Sequence, residues 1–100
     1  MNKKLRTSAV SHLFEAILTL ETEEECYSFF EDLCTVNELL SISQRFEVAC
    51  MLRRHETYLQ IAAKTGASTA TISRVNRSMI HGNGSYEKIF ERLGIRAEKE

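Results

Sequence analysis

YLQIAAKTGASTATISRVNRS, residues 58–78, decides how this chain of 100 residues folds. Ile61 and Ala62 fit a short first helix, and Gly66 falls where that helix must stop. Glycine takes positive φ without a Cβ penalty, which the residue after a helix end often needs. Ser68 or Thr69 can open a second helix, over 68–80, by accepting a backbone N–H. Ile72 and Val75, three residues apart, share one face of it. Ala62 is small enough to let the second helix cross closely. The spacing predicts a helix-turn-helix over 58–78, its helices meeting at the steep angle of a DNA-reading pair.

The residues left outside that packing carry the functional reading. Thr69, Ala70, Thr71, Ser73, Arg74, Asn76 and Arg77 make the second helix small and hydrogen-bonding at its start, and cationic further on. Such a helix suits a major groove about 12 Å wide and reads base edges from its N-terminal end. Short side chains let the backbone approach, hydroxyls bond phosphates or bases, and arginine clamps phosphate or guanine. The expected DNA contacts are Lys64, Ser68, Thr69, Ala70, Thr71, Ser73, Arg74 and Arg77. The plain alternative is an ordinary helical hairpin with a polar solvent face.

Net charge is −1, which alone speaks against nucleic acid, but the charges are segregated. Residues 1–44 hold three basic and eight acidic side chains. Residues 45–79 hold six basic (Arg45, Arg53, Arg54, Lys64, Arg74, Arg77) and two acidic ones, Glu47 and Glu56. Residues 80–100 balance at zero. A cationic region on the reading head with acid elsewhere is the footprint of a DNA-binding face. Chance segregation in a small chain is the competing account.

Composition predicts an all-α chain: there is no proline, there are four glycines, and good helix formers abound. A chain of this length is one domain with a small core, so association could add stability. No apolar run is long enough to span a membrane. Lys3, Lys4 and Arg6 are followed by Glu15 before any long apolar segment, so no signal peptide is expected and the location expected is the cytoplasm. Cys26, Cys34 and Cys50 are widely spaced, without CxxC. They imply neither a disulfide framework nor zinc, and all three are expected as small core fillers. His12, His55 and His81 lie near no partner at ligand spacing. No nucleophile–base pair or phosphate loop is visible. No catalytic residue, metal or cofactor is expected, and the chain is not expected to be an enzyme.

Residues 1–7 read as a flexible basic arm and 94–100 as a flexible tail, around one helical domain over 8–93. Leu13, Phe14, Ile17, Leu18 and Leu20 predict a helix from Ser8 to about Thr19–Glu21. Thr22-x-x-Glu25 is a capping box, with Glu23 and Glu24 suiting the helix dipole. The helix it opens carries Cys26, Tyr27, Phe29, Phe30, Leu33 and Cys34, apolar around more than half its circumference. So small a domain cannot cover such a helix alone, which implies a homodimer. A second box, Thr35-x-x-Glu38, opens a third helix whose buried face is expected at Leu39, Ile42, Phe46, Ala49, Cys50 and Leu52 or Arg53. His55-Glu56-Thr57 is a tight connection to the reading head. Residues 81–85, with two glycines, read as a loop. Tyr86, Ile89, Phe90 and Leu93 make a last helix, capped by Ser85 and stopped by Gly94. The total is about six helices.

Thr35-x-x-Glu38, Arg45 and the run GASTATISR from Gly66 to Arg74 resemble the Trp-repressor superfamily. EECYSFFEDLCTVNELLSISQRFEVA (24–49) with TGASTATISRV (65–75) resembles its YerC/YecD branch. The resemblance covers residues 10–93 and implies an intertwined dimer, joined through its N-terminal helices, with a reading head at each end. It implies that Thr69, Ala70, Thr71, Ser73 and Arg74 face DNA. Tryptophan-responsive members hold the amino acid with two arginines, whose counterparts are Arg45 and Arg74, beside the hydroxyls of Thr35, Thr71 and Ser78. Those members carry glycine where this chain has Val75, and a phosphate-touching basic residue where it has Ala62. A β-branched side chain fills the space the indole would take, and packed sites do not readily absorb extra methyl groups. The resemblance thus carries the fold and DNA binding but not a small-molecule co-repressor.

The reading that follows is a dimeric regulator, a repressor rather than an activator, that binds palindromic double-stranded DNA through residues 68–80. Four alternatives stand beside it. One is a helical protein-interaction module without DNA binding. A second is a repressor responsive to a tryptophan-like ligand. A third is a promoter-reading domain of the sigma-factor type, against which the long N-terminal helices argue. An enzyme is the poorest fit.

Overall fold

The computed structural model describes residues 2–97. A 3₁₀ turn at Lys3–Leu5 precedes six α-helices: α1 Ser8–Ile17, α2 Glu23–Leu33, α3 Val36–Arg53, α4 Tyr58–Thr65, α5 Thr69–His81 and α6 Ser85–Leu93. There is no strand among the described residues, and no helix there is long and apolar enough to cross a membrane.

Hydroxyl caps set most of the helix starts. Thr7 Oγ1 accepts from the Val10 N–H, Thr22 from Glu25, Thr35 from Glu38 and Ser68 from Thr71, all at 3.1 Å. Thr35 and Thr57 complete their boxes, because Glu38 and Gln60 reach back to the N–H of the capping threonine. The Thr22 box is only half closed: Glu25 reaches one residue further and accepts from the Glu21 N–H at 2.7 Å. Ser85 does not cap α6. Gly84, at φ 76°, turns the chain into that helix and leaves Ser85 already helical, so its hydroxyl is past the capping position.

The segment expected as a loose arm contains the 3₁₀ turn, capped by the Asn2 side chain on the Lys4 N–H. Beyond α6, Gly94 is left-handed and the Ile95 N–H donates back to Phe90 O, closing a Schellman motif. Ile95 packs against the core. Residue 1 and residues 98–100 lie outside the described residues.

The chain divides into two compact units between Leu39 and Leu40. In the first, neither α1 nor α2 buries a residue. Phe14, Leu18, Tyr27 and Leu33 are exposed, Leu18 by 83%. Phe29 and Phe30 meet edge to face with ring centroids 5.5 Å apart. Cys26 is exposed and Cys34 half-buried. The expectation of three core cysteines is therefore corrected: within one chain no layer covers the α2 face that carries Cys26.

The second unit holds the core: Val48, Ala49 and Cys50 of α3, Ile61 of α4, Ala67 of the turn, Ile72 and Val75 of α5, and Phe90 of α6. Each large side chain among them contributes about 1.5–3 kcal/mol by leaving water. Val48 joins Ala49 and Cys50 on the buried face of α3, whereas Ile42 stays half-exposed. Arg53 fastens α6. Its Nη1 lies 2.7 Å from both carboxylate oxygens of Glu87, its Nε donates to Ile95 O at 3.0 Å, and its guanidinium sits 4.9 Å from the centre of the Phe90 ring.

Candidate nucleic-acid interface

The reading head is built from one-turn rules. α4 ends at Gly66, whose φ of 73° lets the chain reverse while its N–H still reaches Ala62 O at 2.9 Å. Thr65 bridges the turn, donating to Ile61 O at 2.7 Å and accepting from the Ala67 N–H at 3.1 Å. Ala67 is buried under the turn. Ser68 then caps α5, and its hydroxyl also donates to Thr71 Oγ1 at 3.1 Å. Ile72 and Val75, 0% and 3% exposed, hold α5 against Ile61 of α4 and the rest of the core.

With that face inward, helical periodicity turns Ala70, Arg74 and Arg77, at i, i+4 and i+7, to the opposite one. All three are exposed, as is Thr69. Ser73 and Asn76 flank them and are half-buried. Among the described residues Arg74 and Arg77 make no side-chain hydrogen bond or ion pair. α5 runs one residue beyond the expected helix and takes in His81, exposed on the same face. In the sequence, only its place next to Gly82 suggests a loop there. The steric reason for the glycine shows only in the structure: a Cβ on Gly82 would stand 2.2 Å from Ser78 O, just past the end of the helix.

Lys64 is placed differently. Its Nζ lies 2.5 Å from Oε1 of Glu56, a carboxylate whose side chain is 2% exposed. Two cations of the basic stretch therefore close on carboxylates, Lys64 on Glu56 and Arg53 on Glu87. Arg54, Arg74 and Arg77 stay exposed, and Arg45 is half-buried.

Of the residues offered for a ligand, Thr35 is in the first unit, with its hydroxyl occupied by the α3 cap. Arg45, Thr71, Arg74 and Ser78 are in the second unit. There Val75 is a core residue. Among the described residues no group of three or more His, Cys, Asp or Glu could hold a metal.

Glu38 and Cys50 are shifted from their ordinary values. The Thr35 backbone N–H, then the Thr35 hydroxyl, hold the Glu38 carboxyl below the usual carboxylate range. Burial, then the nearby Glu47 charge, push the Cys50 thiol up.

Comparison with known proteins agrees with this geometry. The protein YerC of Bacillus subtilis, itself uncharacterised, is 54% identical over 90 residues, covering 90% of this chain and 86% of its own. The crystal structure of a TrpR-like protein from Eubacterium eligens is 66% identical, with a TM-score of 0.93 over 98% of this chain and all of that one. A Trp repressor candidate from Staphylococcus aureus is 56% identical, with a TM-score of 0.92 over 96% of this chain and 97% of its own. The Trp repressor protein family model matches residues 8–94, and the chain belongs to that family.

Proposed function

We propose that the chain is a homodimeric transcriptional repressor that reads a palindromic operator with α5, acting in the cytoplasm. One observation carries the reading. α5 buries Ile72 and Val75 and presents Ala70, Arg74 and Arg77 together, with both guanidinium groups outward. A small side chain near the helix start allows close approach, and two arginines beyond it supply charge to phosphate or guanine. Thr69, Thr71 and Ser73 add hydroxyls on the flanks. Family membership supports a DNA-binding regulator over an interaction module or an enzyme.

The dimer is supported by what a single chain leaves uncovered. No residue of α1 or α2 is buried, and Val36, Leu40 and Ile42 of α3 and Ile89 and Leu93 of α6 are exposed as well. Two heads in one dimer would enter successive major grooves about 34 Å apart. Binding is proposed to need no small molecule, because Val75 occupies core space beside Ile72 and its methyl groups leave little room.

Selection from random duplex DNA, with and without a pool of amino acids, tests this reading. The expected result is one palindrome with half-sites about a helical turn apart, enriched equally in both conditions. Enrichment that needs the pool would favour a ligand-responsive repressor using Thr35, Arg45, Thr71, Arg74 and Ser78. Absence of any salt-dependent duplex binding would sink the regulator reading in favour of a protein-interaction module.

A further inference from the structure

We infer that Lys64 is a strut of the reading head rather than one of its DNA contacts, and that Glu56 is the positioning residue on which it closes. The inference rests on the reading that α5 engages DNA, and it concerns how α4 is held for that task. Glu56 stands at the handover from α3 to α4, with its N–H on Met51 O at 3.1 Å. Its carboxylate is buried, and Lys64, in the last turn of α4, closes on it. The Lys64 side chain is 53% exposed, but its ammonium ends on Glu56. One residue on, Thr65 O accepts from Gln44 Nε2 at 3.0 Å. The C-terminal end of α4 is thus tied to the α3–α4 connection by one ion pair and to α3 by one hydrogen bond. Its N-terminal end is fixed by the Thr57–Gln60 box.

That end of α4 matters because three residues separate it from α5. Thr65 and Gly66 lead through Ala67 to Ser68, the α5 cap, so whatever fixes Thr65 fixes where α5 begins. A phosphate that drew Lys64 away would break an ion pair whose carboxylate is buried, and breaking such a pair costs more than an exposed one returns. A lysine already paired with a carboxylate brings little net charge to a phosphate and so displaces few of the counterions condensed on DNA. The positive charge available to DNA on α5 then falls to Arg74 and Arg77.

The test uses the full chain and three variants, Lys64→Met, Glu56→Gln and the double. The readouts are Tm without DNA and the salt dependence of binding to a labelled duplex of mixed sequence. Each single variant is expected to lower Tm, and the double to lose less than the sum, because it removes both charges of the pair. Lys64→Met is expected to keep the wild-type slope of log affinity against log salt. A slope shallower by about 0.9, the value of one phosphate neutralised, would make Lys64 a phosphate ligand and overturn the inference. Tm losses that simply add would overturn it as well. If the wild-type chain binds no duplex, the regulator reading fails, and the Tm cycle alone decides the strut.

Discussion

Arg74 and Arg77 are both exposed on α5, three residues apart, yet their tasks should differ. Arg74 is nearer the helix start, the part of a recognition helix that meets base edges. Arg74→Ala should weaken operator binding by about 1–3 kcal/mol and relax the preference at one base pair. Titration of the selected operator and its single-base variants checks this, and an equal loss on every sequence would reassign Arg74 to phosphate. His55 is a residue-scale feature of another kind. It is the one non-glycine with positive φ among the described residues, at 60°, in the left-handed position that ends α3. The His55 N–H reaches Leu52 O and the Glu56 N–H reaches Met51 O, so the site is a Schellman closure with histidine where glycine is usual. A left-handed non-glycine residue costs about 1–2 kcal/mol. His55→Gly should therefore raise stability by up to about 1 kcal/mol, after the added chain entropy of the unfolded state is set against that relief. Urea unfolding measures it, and a loss of stability would mean that the imidazole packs usefully where it stands.

Among the elements, α4 and α5 are legible in the sequence because each boundary rests on one local rule. Gly66 ends one helix, Ser68 starts the next, and Ile61, Ile72 and Val75 face inward at helical spacing. Contacts between distant residues are not legible. Glu87 is 34 residues from Arg53 and Gln44 is 21 from Thr65, and no periodicity links them. Glu56 reads as a loop acid, because its burial follows from how α3 and α4 meet. Val48 escapes the sequence reading because the expected stripe on α3 runs through Ile42 and Leu39, towards a face that one chain leaves open. The start of α3 also carries a pH signature. Its Thr35 bonds depress the Glu38 pKa, so the folded state favours the ionised form. That contribution is complete above the ordinary carboxylate pKa and is lost as pH falls through the lower folded value. Glu38→Gln should flatten this part of the acid limb of stability. In Thr35→Val, NMR titration should find the Glu38 pKa only partly restored, since the backbone N–H, the larger cause, remains. Full restoration would assign the shift to the hydroxyl.

For the molecule as a whole, the distribution of burial decides more than its amount. The core of the second unit draws on α3, α4, the turn, α5 and α6, whereas α1 and α2 bury nothing although they carry Phe14, Tyr27, Phe29, Phe30 and Leu33, with Leu18 at the end of α1. Exposed patches of this kind are rare on monomers unless a partner covers them. A second copy is the simplest cover, since a symmetric contact lets one apolar face satisfy another like it. Sedimentation at micromolar concentration should therefore give twice the chain mass of 11.5 kDa. The thiols report which face is used. Cys26 borders a groove with Glu23, Tyr27, Phe30 and Leu39, so a dimer closed over α2 should shield it from an aromatic disulfide reagent. Dilution into the nanomolar range should expose it. Cys50, buried and with its thiol pKa raised, should react slowly at every concentration and serves as the internal reference. A monomeric mass with Cys26 reacting at once throughout would remove the dimer, and with it the paired heads that a palindrome requires. A dimeric mass with Cys26 still open would keep the paired heads and move the contact from this face of α2 to the exposed side chains of α1, α3 and α6.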